Sequence, residues 1–206
     1  MLSSMSRLTR FTPLTGVVFA LLVAAGFLTA NGAAQANATP EAVRSFAIAN
    51  SLQNQISDSL WILGFVFLLF FAGSLHAALR STPLTTLLVA GAAIMVAGGG
   101  VYFGFDAALD MNAQNLSPDA AQAINILALS LGFPMGAGGL VFGIASGLAI
   151  LRTSILPKWL GIAAIVIGVI LISPLALFGV LVLGLWAIVT SIALVLRTPT
   201  AATPAA

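Results

Sequence analysis

The chain has 206 residues, of which 60% are hydrophobic and 6% charged, with a formal net charge of +2. Soluble domains carry roughly 25% charged residues, so seven basic and five acidic side chains are too few to solvate a folded surface, and neither a soluble nor a disordered chain fits. Cysteine is absent and histidine occurs once, which removes disulfides, thiol catalysis, iron–sulfur clusters and multi-histidine metal sites. Seven scattered basic residues form no stripe for nucleic acid.

A helix rising 1.5 Å per residue needs about 20 apolar residues to cross about 30 Å of hydrocarbon. Apolar runs at 14–30, 60–79, 84–105, 124–151, 159–173 and 177–196 predict six spans. Arg7 and Arg10 precede the first, and Ala34-Gln35-Ala36 follows it. Residues 1–36 therefore read either as a retained first span or as a cleaved secretory leader. The lack of acidic residues before Glu41 also admits a transit peptide. Residues 31–38 are expected to form a flexible linker.

Thr39-Pro40-Glu41-Ala42 ahead of span 2 and Ser117-Pro118-Asp119-Ala120 ahead of span 4 are matching helix starts. The hydroxyl caps, proline fills a first-turn position where its missing N–H costs nothing, and the acid meets the positive end of the helix dipole. Residues 40–57 and 118–126 are expected to extend spans 2 and 4 as helix beyond the bilayer. His76 and Arg80 share a face at the far end of span 2, where a snorkelling interfacial ring is the plain reading and a proton-sensing or ligand role the alternative.

Span 3 carries Gly91 with Ala92 and Ala93, then Gly98, Gly99, Gly100 and Gly104, with Tyr102 near its outer end. Asp106 and Asp110 share a face at that end, the negative pole of the helix. Paired carboxylates can hold a divalent ion or act as acid and base; solvation beyond the bilayer is the simpler account. Arg44 is the single basic residue of the outer segments, and it is expected to approach Asp58, Asp106 or Asp110.

In span 4, Gly132, Gly136, Gly139, Gly143 and Gly147 recur on one helix face. Lipid gives helices no hydrophobic reason to associate, so small residues that allow close backbone approach become the contact surface. That face is expected to pack within the monomer or to form a homodimer seam. Pro134 removes a hydrogen bond to the Ser130 carbonyl and should kink the span. Residues 159–196 would be about 57 Å long as one helix and fit as two spans turning at Ser173-Pro174. Trp61 and Trp159 fall at span ends, where amphipathic rings suit the interface, and Trp186 falls mid-span.

Six of the seven basic residues (Arg7, Arg10, Arg80, Arg152, Lys158 and Arg197) fall on one side of this layout, which the positive-inside rule makes cytoplasmic. Spans 2, 4 and 6 close with Leu79-Arg80-Ser81, Leu151-Arg152-Thr153 and Leu196-Arg197-Thr198, a weak repeat that suggests three hairpins of like orientation or convergence on cytoplasmic basic ends.

The segment Leu151-Arg152-Thr153-Ser154-Ile155-Leu156-Pro157-Lys158-Trp159-Leu160-Gly161, with Leu75-His76-Ala77-Ala78-Leu79-Arg80, resembles a group of small, Ala-rich, multi-span membrane proteins of unknown function frequent in actinobacteria. The resemblance implies the same layout and a bacterial plasma membrane. It brings no activity and no catalytic residue.

The expectation is an all-α, polytopic bundle of six spans in three hairpins, a single integral domain with both termini inside and 198–206 as a cytoplasmic tail. No catalytic, cofactor or metal residue is assigned, and an enzyme is not expected. The expected role is structural or regulatory, through contacts with lipid, another membrane protein or a second copy at the Gly-rich face of span 4, with no nucleic acid. The alternative is a transporter or channel for a small, lipophilic molecule, with a cavity beside span 4 lined by Ser130, Asn125 and Gln122.

Overall fold

The computed structural model describes residues 12–32, 34–35, 37–79 and 83–197, without the side chain of Arg197. The cationic ends expected at Arg7, Arg10, Arg80 and Arg197, part of the proposed leader and the tail at 198–206 lie outside the described residues. A 3-10 turn at Thr12–Leu14 leads into α1 (Thr15–Thr29). It is followed by α2 (Pro40–Ala78), α3 (Leu84–Asn112), α4 (Pro118–Ser130), α5 (Gly132–Thr153), α6 (Lys158–Leu171) and α7 (Ala176–Arg197). The described residues contain no strand.

Both helix starts read from the sequence are built as expected. Thr39 Oγ1 accepts from Ala42 N and Ser117 Oγ from Ala120 N, each at 3.3 Å, with proline in the first turn and an acid beside it. The 39 residues of α2 make about 58 Å of helix, nearly twice a bilayer. Its N-terminal half stands with α4 and the end of α3 around a small separate core of Val43, Ala47, Leu109, Ala113 and Ala121.

Five helical stretches are long and apolar enough to cross a membrane: Thr12–Thr29, Pro40–Ala78, Leu84–Asn112, Pro118–Thr153 and Ala176–Leu196. Two expected spans take a different form. Span 4 starts at Pro118, as its cap and outer extension predict, but breaks into α4 and α5 at Leu131. The break falls one turn before Pro134, where the Ser130 carbonyl loses the N–H that proline lacks. Leu131 N turns back to the carbonyls of Ala128 and Leu127 instead, at 3.0 and 3.2 Å. The fifth run forms only 14 residues of helix, about 21 Å. Ser173 ends it: its Oγ donates to the Ile170 carbonyl at 2.7 Å and accepts from Leu175 N at 3.2 Å, which makes the turn before Pro174.

The helices close into a ring. Each of α1, α2, α3, α5, α6 and α7 packs against the next, and α7 returns to α1. Neighbours run antiparallel: Gly91 of α3 lies on Phe142 of α5 and Gly98 on Met135, while Gly143 lies on Gly168 of α6 and Gly147 on Gly161. The glycine face of α5 is thus the contact with α6. A Cβ on Gly136 would fall 2.6 Å from the Leu171 carbonyl and one on Gly143 2.5 Å from that of Ala164. The homodimer seam expected on this face finds it covered by the chain's own helix. Gly100, Gly104 and Gly132, read as part of the thin surfaces, pack against nothing: a Cβ at any of them would meet no atom within 4 Å.

Inside the ring sit Phe71, Phe142 and Trp186, with Leu68, Leu75, Leu88, Met95 and Ile150 around them. The outside is apolar mid-helix, with Phe70 59% and Leu185 64% exposed, as suits helices solvated by lipid rather than water.

Candidate functional site

On α2, Asn54, Asp58 and Trp61 follow at steps of four and three and so share one face; on α3, Tyr102, Asp106 and Asp110 do the same at steps of four. Antiparallel packing of α2 on α3 brings the two faces together near the end where both helices outrun the apolar runs. Ser51 Oγ donates to the Asp110 carbonyl oxygen at 2.8 Å and holds the register.

The end of α1 closes the third side. Ser57 Oγ donates to the Gly26 carbonyl at 2.9 Å. That approach needs a glycine, since a Cβ there would stand 2.8 Å from Trp61 Cδ1. Beyond α1, Gly32 takes φ +85, a left-handed conformation open to glycine, and turns the chain over the helix end. Asn31 is then held by three side chains of α2: its N donates to Asn54 Oδ1 at 3.3 Å, and its Nδ2 to Asn50 Oδ1 and Gln53 Oε1 at 2.8 and 2.9 Å.

Between these elements lies a cavity of about 560 Å³, with Met135 of α5 and Leu177 and Val180 of α7 on its far wall. Its size is that of a small-molecule pocket. One wall is aromatic: Trp61 is stacked on Phe103 with centroids 5.1 Å apart at 17°, Tyr102 meets Phe103 edge-on at 4.8 Å, and Phe27 completes the surface. The polar wall is formed by Asn31, Asn54, Ser57, Asp58 and Asp106.

Asp58 is the nearly fully buried acid that faces the cavity. It is 3% exposed, and its Oδ2 has no hydrogen-bond partner. Asp110 is also buried and its Oδ2 is likewise unpartnered, although the Asn54 side chain hydrogen-bonds its carboxyl; it does not line the cavity. The charges of Asp106 and Asp110 act on Asp58, so the three carboxyls form one electrostatic group. A buried carboxylate without a counter-charge or full hydrogen bonding is costly.

Arg44 does not supply that counter-charge, contrary to the sequence expectation. Its Nε donates to the carbonyls of Ala113 and Leu116, both at 2.9 Å, and its Nη2 to that of Gln114 at 2.9 Å. The guanidinium sits on carbonyls of the turn just past the C-terminus of α3, where the negative helix pole attracts a cation. Among the described residues no group of three or more His, Asp or Glu is placed to hold a metal ion.

The cavity expected beside span 4, with Ser130, Asn125 and Gln122 as its polar groups, is not where the polar wall forms. Ser130 Oγ donates to the Ile126 carbonyl in its own helix at 2.8 Å, Asn125 Nδ2 points to the Ala34 carbonyl at 3.4 Å, and none of the three lines the large cavity. The break before Pro134 does open a cleft of about 370 Å³, but Leu129, Phe133, Met135 and Leu171 make it mostly apolar. His76 lies at the opposite end of α2 with a buried Nδ1 that has no partner, and takes no part in the site. Of the acids gathered here, the sequence reading makes Asp106 and Asp110 a solvated pair at a helix end and gives Asp58 only as a candidate partner of Arg44. The signal available was Asn54, Asp58 and Trp61 on one face, facing Tyr102, Asp106 and Asp110 on another.

No known family, curated protein or solved structure matches the chain.

Proposed function

We propose that the chain is a six-span protein of the bacterial plasma membrane, with both termini in the cytoplasm, that binds and moves a small lipophilic molecule through the cavity between α1, α2 and α3. The observation that carries this reading is the cavity itself: about 560 Å³, walled by aromatic rings and by a buried carboxyl whose Oδ2 no protein group satisfies. A bundle that only scaffolds other proteins needs neither the space nor the uncompensated acid, which sets binding ahead of a purely structural or regulatory role. The role is binding and transfer, not bond chemistry.

Antiparallel order supports the topology. The α5–α6 link, with Arg152 and Lys158, shares an end with the C-terminus of α2, while Glu41 and Asp119 start helices at the other end. Cationic residues retained inside give the orientation. Helix α6, short as it is, carries the chain from the Arg152 end to the cleft shared by Phe133 and Pro174, and is taken as the fifth span. Of the basic Leu-Pro-x-Trp-Leu-Gly segment, Leu156 and Pro157 lie in that α5–α6 link, with Ser154 at φ 53 and Pro157 at the N-cap, while Lys158 to Gly161 open α6.

Equilibrium binding of small radiolabelled aromatic compounds to the detergent-purified full chain tests the function. Leu177, half-exposed on the cavity's α7 wall, is the position to fill. Saturable binding that Leu177→Trp abolishes is the expected result. Binding indifferent to that substitution, or none at all, returns the protein to the structural or regulatory reading.

A further inference from the structure

The geometry points to a singly charged organic cation with an apolar, aromatic-sized body as the ligand of this cavity, with Asp58 as its counter-charge and Asp106 as a second acceptor. The inference rests on the cavity being a binding site and adds the chemical class of its occupant. Three independent observations lead to it. Asp58 is nearly fully buried, lines the cavity and leaves Oδ2 unpartnered. Arg44, the basic side chain of the outer segments, is held by the carbonyls of Ala113, Gln114 and Leu116. The remaining wall is aromatic, with Phe27, Trp61, Tyr102 and Phe103 around the same space.

Each feature selects on a different property of the ligand. A desolvated carboxyl gains a counter-charge from a positive partner and gains none from a neutral hydrocarbon, so it favours the cation. Aromatic faces attract a diffuse cation and bury hydrocarbon, but offer a metal ion no oxygen ligands. Two cavity-lining carboxyls and a few amides fall short of the six to eight oxygens that calcium takes, and the described residues contain no metal-type cluster. A quaternary or protonated amine on an aromatic body satisfies both walls.

The test uses a matched pair of probes, benzyltrimethylammonium and its uncharged carbon isostere neopentylbenzene, titrated against the full-length protein in detergent. Wild type should bind the cation at least about tenfold more tightly than the isostere, equivalent to about 1.4 kcal/mol. Asp58→Asn should erase that preference while leaving the isostere's affinity unchanged or improved, and Asp106→Asn should reduce it in part. Should Asp58→Asn fail to fold, Asp106→Asn and competition of the bound cation by sodium or magnesium chloride carry the test; displacement by magnesium at equimolar amounts would overturn the organic-cation assignment. Equal binding of the two probes, lost in Leu177→Trp, would overturn the charge inference and leave the cavity reading standing. Binding of neither probe would overturn both.

Discussion

The indole N–H of Trp186 donates to the backbone carbonyl of Leu160 at 2.9 Å, with both residues buried. Phe71 and Phe142 meet the same ring edge-on, at 5.9 Å and 85° and at 6.1 Å and 88°. One side chain therefore ties α7 to α6 by a polar bond and to α2 and α5 by ring packing. Trp186→Phe removes the donor and leaves the Leu160 carbonyl with only its partner in the α6 ladder, at an expected cost of about 0.5–1.5 kcal/mol. Thermal unfolding in detergent should show a lower Tm for this variant, whereas Trp159→Phe, at an exposed ring, should stay within about 0.5 kcal/mol of wild type. Equal Tm values for the two variants would remove Trp186 from its bridging role.

The contact between α5 and α6 is set by the absence of side chains. Gly143→Leu places carbon against the Ala164 carbonyl and the Gly168 backbone, neither of which can rotate away. Overpacking of this kind costs about 1–3 kcal/mol or more. Gly104→Ala on α3 is the control: nothing lies within 4 Å, so the helix should gain about 0.5–1 kcal/mol from reduced backbone freedom in the unfolded chain. Opposite signs of the Tm change are expected; a Gly143→Leu protein as stable as wild type would mean that α6 does not sit on this face.

Arg44 joins α2 to the end of α3 through three hydrogen bonds to carbonyls. Arg44→Met should loosen residues 113–117, seen as faster amide exchange, at about 1.5–3 kcal/mol. Arg44→Lys should recover only part, because a point charge cannot reproduce the planar fork. No ion pair with Asp110 underlies the effect, so Arg44→Met and Asp110→Asn should combine additively within about 0.5 kcal/mol. A coupling energy above about 1 kcal/mol would place the two charges in contact.

The chain has no cysteine, which makes topology directly measurable. Ser154→Cys, in the exposed α5–α6 link, should resist a membrane-impermeant maleimide in intact cells, while Asn115→Cys, in the exposed turn between α3 and α4, should react. Labelling of both from the same side would refute the alternation of helices across the bilayer.

The helical class and most element positions were readable from the sequence, because membrane solvent writes itself into one-dimensional hydrophobicity: no water is present to satisfy an unpaired backbone, so each crossing must be a long apolar helix. The caps at Thr39 and Ser117 and the turn at Ser173 were equally legible, since each is closed by side chains within a few residues of one another. The break at Leu131 was foreseeable from Pro134, whose missing N–H leaves the Ser130 carbonyl, a turn upstream and beside the break, without its helical bond.

Composition and spacing by themselves determined a lipid-solvated helical bundle and its cationic end at Arg152 and Lys158. Only the tertiary structure decided which helices touch, that the glycine face of α5 is filled by α6, that Arg44 turns to backbone carbonyls, and that Asp58 and Asp106 face one cavity. Those outcomes depend on groups far apart in the chain, from Gly26 to Val180. A carboxyl placed at a helix end reads the same in sequence whether water or three neighbouring helices surround it, and burial, the property that gives Asp58 its chemistry, exists only once those helices have packed.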